Sequence, residues 1–590
     1  MRAISLERGL LARLGSFAGL GAVVCALGAC DATPRDAGAF PGLSEALESA
    51  PGVASRLSAA VRFRACAERI PERGTIPRAE CPASRSSGQE KLGGVAARAR
   101  NADDDPAALQ ALALVELVSD DPHGLRLANS ISLLRRAAEL SDRPAAALAD
   151  LSGALLVRAE RTQAPRDLLE AHETAADALR REPASLPALF NRALALDRLA
   201  LVDETARAWR DYLAADSASG WADEARRRLR TVLAASVPPP PPPAGAPLRA
   251  YAGYAAADAQ GARELGMDSL LGEWGDAVQA GDRTTAGDRL NRAEALGEGL
   301  VRRRGGDASL ADAAAAIRAV EGNPRATLAL AHAHREYSAG RRLVREMERY
   351  IALPHLAAAE ADAGASPALR NWARMYLGTT LIQVERRREG ERILAMLAAG
   401  GSPRHPALVA RTRWSLGRTL GQGDRLERGF EELGEAARLF TLAGERENEG
   451  TLLGMVAEMR FTLGELDAGY LALHRALHRL KPYRASQWLH NVLVGGADAA
   501  ASDGFLQSAI RLQSEGVGVA TRTGNPASAV EARLERARHM VTAGDVEHAT
   551  TDLDAARALV SHVGEDSRPW LEAAHQEAEA AISLRADAER

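Results

Sequence analysis

The chain has 590 residues, of which 46% are hydrophobic but only 4% are aromatic. A core built mainly from alanine, leucine and valine favours helix-on-helix packing, so the composition predicts an all-α fold and argues against thick sheets. The 74 basic and 78 acidic residues give a net charge of -4, which excludes the strongly basic field that holds nucleic acid.

The first thirty residues have the order of an export signal. Three arginines precede an apolar run from Leu14 to Ala29, which is short for a bilayer span of about 20 residues. The run ends in "LGAC", residues 27–30, which resembles the lipobox of bacterial lipoproteins. The resemblance implies removal of residues 1–29, lipidation of Cys30, and a chain held on a membrane of the cell envelope, facing the periplasm or the cell exterior. A cleaved signal with a chance cysteine is the alternative.

Residues 30–90 are rich in Pro, Gly, Ser and Ala, and we expect a spacer with one short helix near Leu43 to Ala60. Once Cys25 is removed and Cys30 is lipidated, Cys66 and Cys81 remain, and an oxidising compartment favours a disulfide between them. Two unpaired thiols are the alternative. No histidine occurs between residues 31 and 122, which argues against a metal site there.

Two helical blocks are predicted, at residues 91–235 and 251–590. They are separated by a linker, residues 236–250, in which six consecutive prolines cannot continue a helix and favour extended polyproline II.

The second block carries the most informative pattern in the chain. A small residue recurs every 39 or 40 positions, and a second small residue follows each of them by twelve positions. Turn signals such as "GQGDRL" and "AGDVEH" lie between the two, so each unit reads as helix, turn, helix. The first set is Gly378, Gly417, Ala457, Ala497 and Ala537, and the second set is Gly390, Gly429, Gly469, Ala509 and Ala549.

This pattern resembles the tetratricopeptide repeat (TPR), in which the two small residues lie where helix A and helix B cross. Residues 186–216 are similar to the 34-residue form of the repeat, with Trp209 and Tyr212 at core positions and Thr205 in place of the usual alanine. The resemblance implies an all-α superhelix of TPR-type helix-turn-helix units, with repeats of about 40 residues in the second block.

The TPR geometry also implies a concave groove, lined by helix A residues near each small position. A lining of Trp, Arg and acidic residues suits a protein or peptide partner, because Trp and Arg contribute most of the energy at interfaces. The alternative is that about half of these residues only fill gaps between repeats. The candidate groove residues are Trp372, Met375, Arg411, Trp414, Arg418, Glu458, Asn491, Asp498 and Arg538.

We find no motif for catalysis, and expect no cofactor, no metal and no small-molecule substrate. The sequence has no phosphate-binding glycine loop, no Gly-x-Ser-x-Gly motif and no His-Glu-x-x-His motif. His474 and His478 stand one helical turn apart in "LHRALHRL", but the register places both on the outer side of helix B, and we interpret them as part of a solvated face.

The repeats, including residues 185–229 and 435–465, resemble the N-terminal region of bacterial proteins with a CHAT domain, a caspase-like cysteine peptidase module. That family uses a His and Cys pair, whereas this chain has no cysteine after Cys81. The first hypothesis is therefore a non-catalytic, lipid-anchored scaffold that binds a protein or peptide. The second is the sensor half of a CHAT-type peptidase whose catalytic module is missing or encoded separately.

Overall fold

The computed structural model describes residues 40–589, except positions 51, 60, 70–74, 82–85, 103, 120, 122, 235–236, 422–424 and 565–566. Cys30 and the predicted signal, residues 1–29, lie outside the described residues. Helices account for most of the described chain, and strands β1 (Ala67–Arg69) and β2 (Arg78–Glu80) pair as an antiparallel hairpin. None of the described helices combines the length and the apolar character that a bilayer span requires.

The helices fall into three groups along the chain. Before the linker come α1 (Leu43–Glu48), α2 (Ser86–Arg100), α3 (Pro106–Val118), α4 (Leu125–Leu140), α5 (Ala145–Thr162), α6 (Arg166–Arg181), α7 (Leu186–Arg198), α8 (Val202–Ala215) and α9 (Gly220–Leu233). After it come α10 (Leu248–Ala257), α11 (Ala259–Glu264), a π-helical segment (Leu265–Leu270), α12 (Leu271–Ala280), α13 (Arg283–Val301), α14 (Ser309–Val320), α15 (Pro324–Arg345) and α16 (Arg349–Asp362). The third group is α17 (Pro367–Gln383), α18 (Arg387–Ala399), α19 (Pro406–Gly421), α20 (Leu426–Ala443), α21 (Arg446–Thr462), α22 (Leu466–Leu480), α23 (Gln487–Ser502), α24 (Leu506–Thr523), α25 (Pro526–Thr542), α26 (Val546–Val560) and α27 (Arg568–Glu589). We call α2 to α9 the N-terminal block and α17 to α27 the C-terminal array.

Several helices begin with a capping side chain followed by proline. The capping side chain accepts a hydrogen bond from a backbone N–H of the first turn, and proline already has the helical φ, so the pair fixes the start of the helix. The caps of this kind are Asp105, Asn323, Ser366 and Asn525, at the starts of α3, α15, α17 and α25. Gly444 and Gly524, in the left-handed region, end α20 and α24.

The helices of each array unit cross at the small residues of the repeat pattern. A Cβ added to Gly390 would lie 2.4 Å from Gly378 O, and one added to Gly417 would lie 2.9 Å from Gly429 O. Such distances are too short for a side chain, so the two backbones are in direct contact there. The alanines of the first set are equally buried, at 2% exposure for Ala457 and 0% for Ala497 and Ala537. The predicted all-α fold of TPR-type helix pairs is confirmed.

The N-terminal block has the same pairing around an aromatic core. Helix α5 pairs with α6, and α7 pairs with α8. The ring of Phe190 meets three other rings edge-on, at centroid distances of 5.0 Å to Trp209, 5.3 Å to Tyr212 and 4.9 Å to Trp221. Edge-to-face contacts of this kind are the favoured arrangement of aromatic rings.

The described part of the predicted spacer is packed against the N-terminal block. Helix α1 is short, and residues 52–66 apart from 60 form neither helix nor strand, so the helix expected up to Ala60 ends at Glu48. Leu57 and Ile76 are buried, at 7% and 1% exposure. Cys66 and Cys81 form a disulfide, with their Cα atoms 4.2 Å apart, next to the β1–β2 hairpin.

The two blocks, although separated in sequence by the prolines, pack against each other through their second helices. Helices α6 and α8 of the N-terminal block contact α24 of the array, and α6 also contacts α22. Arg166 donates two hydrogen bonds to the Asp503 carboxylate, at 2.8 and 2.9 Å. The outer side of the array at α22 and α24 is therefore an internal interface of the molecule.

Candidate functional site

The first helices of successive array units lie side by side and form one wall. Helix α17 contacts α19, α21 contacts α23, and α23 contacts α25. All nine candidate groove residues are on these helices. The small residues of each first helix face helix B. Side chains on the opposite side of the same first helix therefore face away from helix B. We call this surface the inner wall.

One part of the inner wall is covered by the chain itself. Trp372 and Met375 are buried, at 0% and 1% exposure, so the prediction that they line an open groove is wrong. The Arg263 guanidinium of α11 lies 4.6 Å from the centroid of the Trp372 ring. Arg411 donates a hydrogen bond to Glu264, also of α11, at 3.2 Å. Helix α11 therefore covers the inner wall at Trp372 and Arg411.

A buried ion pair holds α11 in this place. The Arg263 guanidinium lies 2.6 Å from the Glu445 carboxylate, and their side chains are 1% and 2% exposed. Burial alone would raise the pKa of Glu445, but the adjacent Arg263 brings it below its ordinary value. Both groups are therefore charged, and loss of either one would leave the other buried without compensation, which typically costs about 3 to 5 kcal/mol.

The rest of the inner wall is open and contains a cavity. Four candidate residues line it together, namely Trp414 and Arg418 of α19, Glu458 of α21 and Asn491 of α23. The cavity has a volume of about 220 Å³, and its apolar lining includes Met455, Phe461, Trp488 and Val492. Trp488 is 50% exposed, so part of this lining faces solvent.

Arg418 is the charged group that distinguishes this cavity. It has no hydrogen bond or ion pair with any side chain in the described part of the protein, and burial, with a contribution from Arg349, lowers its pKa. A guanidinium remains charged at any physiological pH. The cavity therefore presents a partly desolvated cation, and two tryptophans belong to the same lining.

The remaining candidate residues lie outside the cavity. Arg538 forms ion pairs with Glu535 and Glu577, at 2.9 and 3.0 Å. Asp498 is exposed, with its carboxylate 3.9 Å from the His539 ring. These residues are on the same wall, but the structure does not bring them to Trp414 and Arg418.

The two histidines that we interpreted as a solvated face are enclosed between the blocks. His474 Nε2 and His478 Nε2 each lie 3.0 Å from the carbonyl oxygen of Arg198 in the N-terminal block. Burial lowers the pKa of His478 to about 4, so this ring is neutral at pH 7. The interpretation of a solvated face is wrong, because the N-terminal block covers the outer side of α22.

Neither a metal cluster nor a free thiol is found in the described chain. No group of three His, Cys, Asp or Glu side chains is arranged to hold a metal there. The cysteines at described positions, Cys66 and Cys81, are joined in the disulfide. The relationship to CHAT-domain proteins stays a hypothesis.

Sequence reasoning missed the apolar half of the cavity. Trp488, Asn491, Val492 and Gly495 form a stripe at the three- and four-residue spacing of one helix face. An aromatic residue one turn before a candidate groove residue is the signal that could have identified Trp488.

Two of three comparisons with known proteins found no match. No family model matches the sequence, and no curated protein matches it. Solved structures with some similarity include BtubC from P. vanneervenii, with 15% identity over 39% of this chain and 91% of that chain at a TM-score of 0.30. Yeast Tom70 has 13% identity over 84% of this chain and 96% of that chain, at a TM-score of 0.27. The TPR domain of P58(IPK) has 13% identity over 84% of this chain and 98% of that chain, at a TM-score of 0.20. Because these identities and TM-scores are low, we draw no conclusion from these structures. The assignment of the repeats is based on the helix crossings described above.

Proposed function

We propose that this chain is a non-catalytic scaffold that binds a protein or peptide at the open cavity of the inner wall. In this proposal, lipid on Cys30 holds the chain on a membrane of the bacterial cell envelope. The observation that carries the proposal is Arg418, a half-buried cation with no ionic partner in the described part of the protein, in a cavity that Trp414 and Trp488 also line.

The size and chemistry of the cavity support a macromolecular partner. A volume of about 220 Å³ is below the roughly 300 to 1,000 Å³ of typical small-molecule sites. It has room for one or two protruding side chains. Tryptophan and arginine are also the residue types that dominate binding energy in protein interfaces.

Site-specific cross-linking in membranes tests the cavity. A photo-reactive amino acid replacing Asn491 is expected to form a defined covalent adduct with one partner, whereas the same amino acid replacing the exposed Arg438 of α20 is not. Trp488→Ala should abolish the adduct, while Trp570→Ala, which removes a tryptophan of matched exposure (49% against 50%), should leave it unchanged. Equal adducts from positions 491 and 438 would contradict the proposal.

Anchoring is tested separately with Cys30→Ala. The intact chain should incorporate radiolabelled palmitate and fractionate with membranes, and the variant should do neither, because the thiol is the group that accepts the lipid. A variant that remains fully in the membrane fraction would exclude this anchor.

A further inference from the structure

A second wall, in the N-terminal block, already holds an extended segment of the chain. Helices α3, α5, α7 and α9 contribute Gln110, Asp150, Asn191 and Trp221 to this surface, which we call the N-terminal wall. Residues 53–59 and 61–64, which we call the inner segment, cross all four helices without forming helix or strand.

The wall recognises the main chain of the inner segment. The Asn191 side chain accepts a hydrogen bond from Arg56 N and donates one to Arg56 O, both at 2.9 Å. The Asp150 carboxylate accepts from Ser58 N at 2.6 Å, and Trp221 Nε1 donates to Val61 O at 3.3 Å. These bonds would form with any extended peptide, since they use only backbone atoms.

The same wall also selects particular side chains. The Arg56 guanidinium donates to Asp216 at 2.9 Å and lies 5.6 Å from the Trp221 ring centroid. Ser58 Oγ donates to the Asp150 carboxylate at 2.6 Å and accepts from Gln110 at 3.0 Å. The spacing selected is an arginine followed two residues later by a serine.

Two glycines permit this close approach. A Cβ added to Gly153 would lie 3.1 Å from Ser55 Oγ, and one added to Gly220 would lie 3.1 Å from the Cβ of Phe63. Phe63 itself packs edge-on against Trp221, with ring centroids 5.0 Å apart. The wall is therefore shaped to the Ser55 and Phe63 side chains as well as to the polar groups of the segment.

Polar groups of the wall are buried and find hydrogen-bond partners on the inner segment. Asp150 and Asn191 are both 0% exposed, and burial raises the pKa of Asp150 to about 6. Buried polar side chains cost free energy unless they are hydrogen-bonded, so Asp150 and Asn191 need an extended segment in this place to satisfy them. A segment without helix or strand offers its main-chain N–H and C=O groups for these bonds, and another extended peptide would offer the same groups.

We propose that the N-terminal wall is a peptide-binding site for a partner protein that carries an extended segment with arginine two residues before serine, and that the inner segment occupies this site in the absence of the partner. The proposal is independent of the cavity at Trp414 and Arg418. Because the inner segment competes, the apparent affinity of the unmodified chain for a free peptide is reduced by the fraction of sites that it occupies.

Fluorescence anisotropy with a labelled synthetic peptide, VASRLSAAVRFR (residues 53–64), tests the site. A chain carrying Arg56→Ala and Ser58→Ala, which loosens its own segment, should bind the peptide at least about tenfold more tightly than the unmodified chain, since each substitution removes charge-assisted hydrogen bonds. Adding Asn191→Ala should abolish binding, and so should the two alanine substitutions in the peptide. Equal, weak binding to the loosened and unmodified chains would overturn the proposal.

A second measurement needs no variant and so does not depend on how a variant folds. Amide hydrogen exchange is followed in the unmodified chain while a ¹³C-labelled copy of the peptide is added, so that the two can be distinguished by mass. Displacement of the inner segment should speed the exchange of residues 53–64 of the protein. Exchange that stays unchanged at millimolar peptide would show that the segment is a fixed part of the fold and would overturn the proposal.

Discussion

Two glycines of the second array unit illustrate how position decides the effect of one methyl group. A Cβ added to Gly417 would lie 2.8 Å from Leu433 Cγ and 2.9 Å from Gly429 O, because helices α19 and α20 cross there. A Cβ added to Gly434, in the middle of α20, would meet no atom within 4 Å. The same residue type is thus required for packing at one site and is only a weak helix former at the other.

Substitution of these glycines by alanine should therefore shift stability in opposite directions. Gly417→Ala is expected to lower the free energy of unfolding by about 1 to 3 kcal/mol through overpacking. Gly434→Ala should raise it by up to about 1 kcal/mol, because alanine has the higher helix propensity. Urea unfolding followed by circular dichroism measures both. Two shifts of the same sign would contradict the repeat register.

Arg418 shows what residue type alone predicts about the site. A tryptophan and an arginine one turn apart on helix A indicated a binding surface, and Trp414 and Arg418 do line a common cavity. The same reasoning failed at Trp372, because the Arg263 guanidinium covers its ring. Arg263 is more than 100 positions earlier, so no pattern near Trp372 in the sequence predicts this contact.

At the scale of helices, each block provides a glutamate that caps the N-terminus of a helix in the other block. Glu515 of α24 accepts hydrogen bonds from Asp203 N and Glu204 N at the start of α8, at 2.8 and 3.1 Å. Glu173 of α6 accepts from Gln507 N at 3.0 Å, at the start of α24. A carboxylate at a helix N-terminus satisfies free N–H donors and interacts favourably with the helix dipole.

The charge on Glu515 makes this contact sensitive to pH. Burial, with the carboxylates of Asp203 and Glu204 adding to it, raises the pKa of Glu515 to about 7. The other charged groups around these carboxylates are the Arg484 and Arg522 partners of Asp203, and the Arg207 and Arg511 partners of Glu204. Since the pKa is higher in the folded than in the unfolded state, the folded state binds more protons, and stability falls as the pH rises from about 4.5 through 7.

Glu515→Gln should remove this dependence, because an amide keeps an acceptor oxygen but does not ionise. Between pH 5 and pH 8 the variant is expected to gain up to about 3 kcal/mol relative to the unmodified chain. Thermal unfolding at a series of pH values measures the difference. Glu431→Gln, at an exposed position of α20, is the control and should leave the pH profile unchanged. A Glu515→Gln profile parallel to that of the unmodified chain would show that this carboxyl does not titrate in that range.

At the scale of the whole molecule, the polar contacts between the blocks explain why the prolines do not keep them apart. Arg166 meets Asp503, Asp203 meets Arg484 and Arg522, and both histidines of α22 meet the Arg198 carbonyl. The linker joins two bodies that also bind each other directly.

Cutting the linker should therefore leave the blocks associated. With a protease site inserted among Pro238–Pro243, the two fragments are expected to elute together in size-exclusion chromatography after cleavage. Asp503→Arg, which places a second cation against Arg166, should weaken their association by at least about tenfold. Asp498→Arg makes the same charge change on α23 at a position away from the other block. Separation of the unmodified fragments immediately after cleavage would contradict the contact between the blocks.

The repeat phase and the helix pairs could be predicted because they depend on short spacings. Two small residues twelve positions apart predict one helix crossing, and this pair recurs in five units of the sequence. The parts of the chain that cover the two walls, which are α11 and the inner segment, could not be predicted in this way. Arg56 is 135 residues from Asn191, and Arg263 is 182 residues from Glu445, so no local spacing connects the partners.

The sequence by itself determined that this protein is a series of helix pairs, because the closeness of two backbones restricts which residues can stand at fixed intervals. Only the tertiary structure decided which face of each series is free. A periodic pattern records that a helix face is apolar or small, but it does not record whether a neighbouring unit, a distant helix such as α11 or an extended segment covers that face. For this reason Trp372 is core while Trp488, on the same wall, remains half exposed.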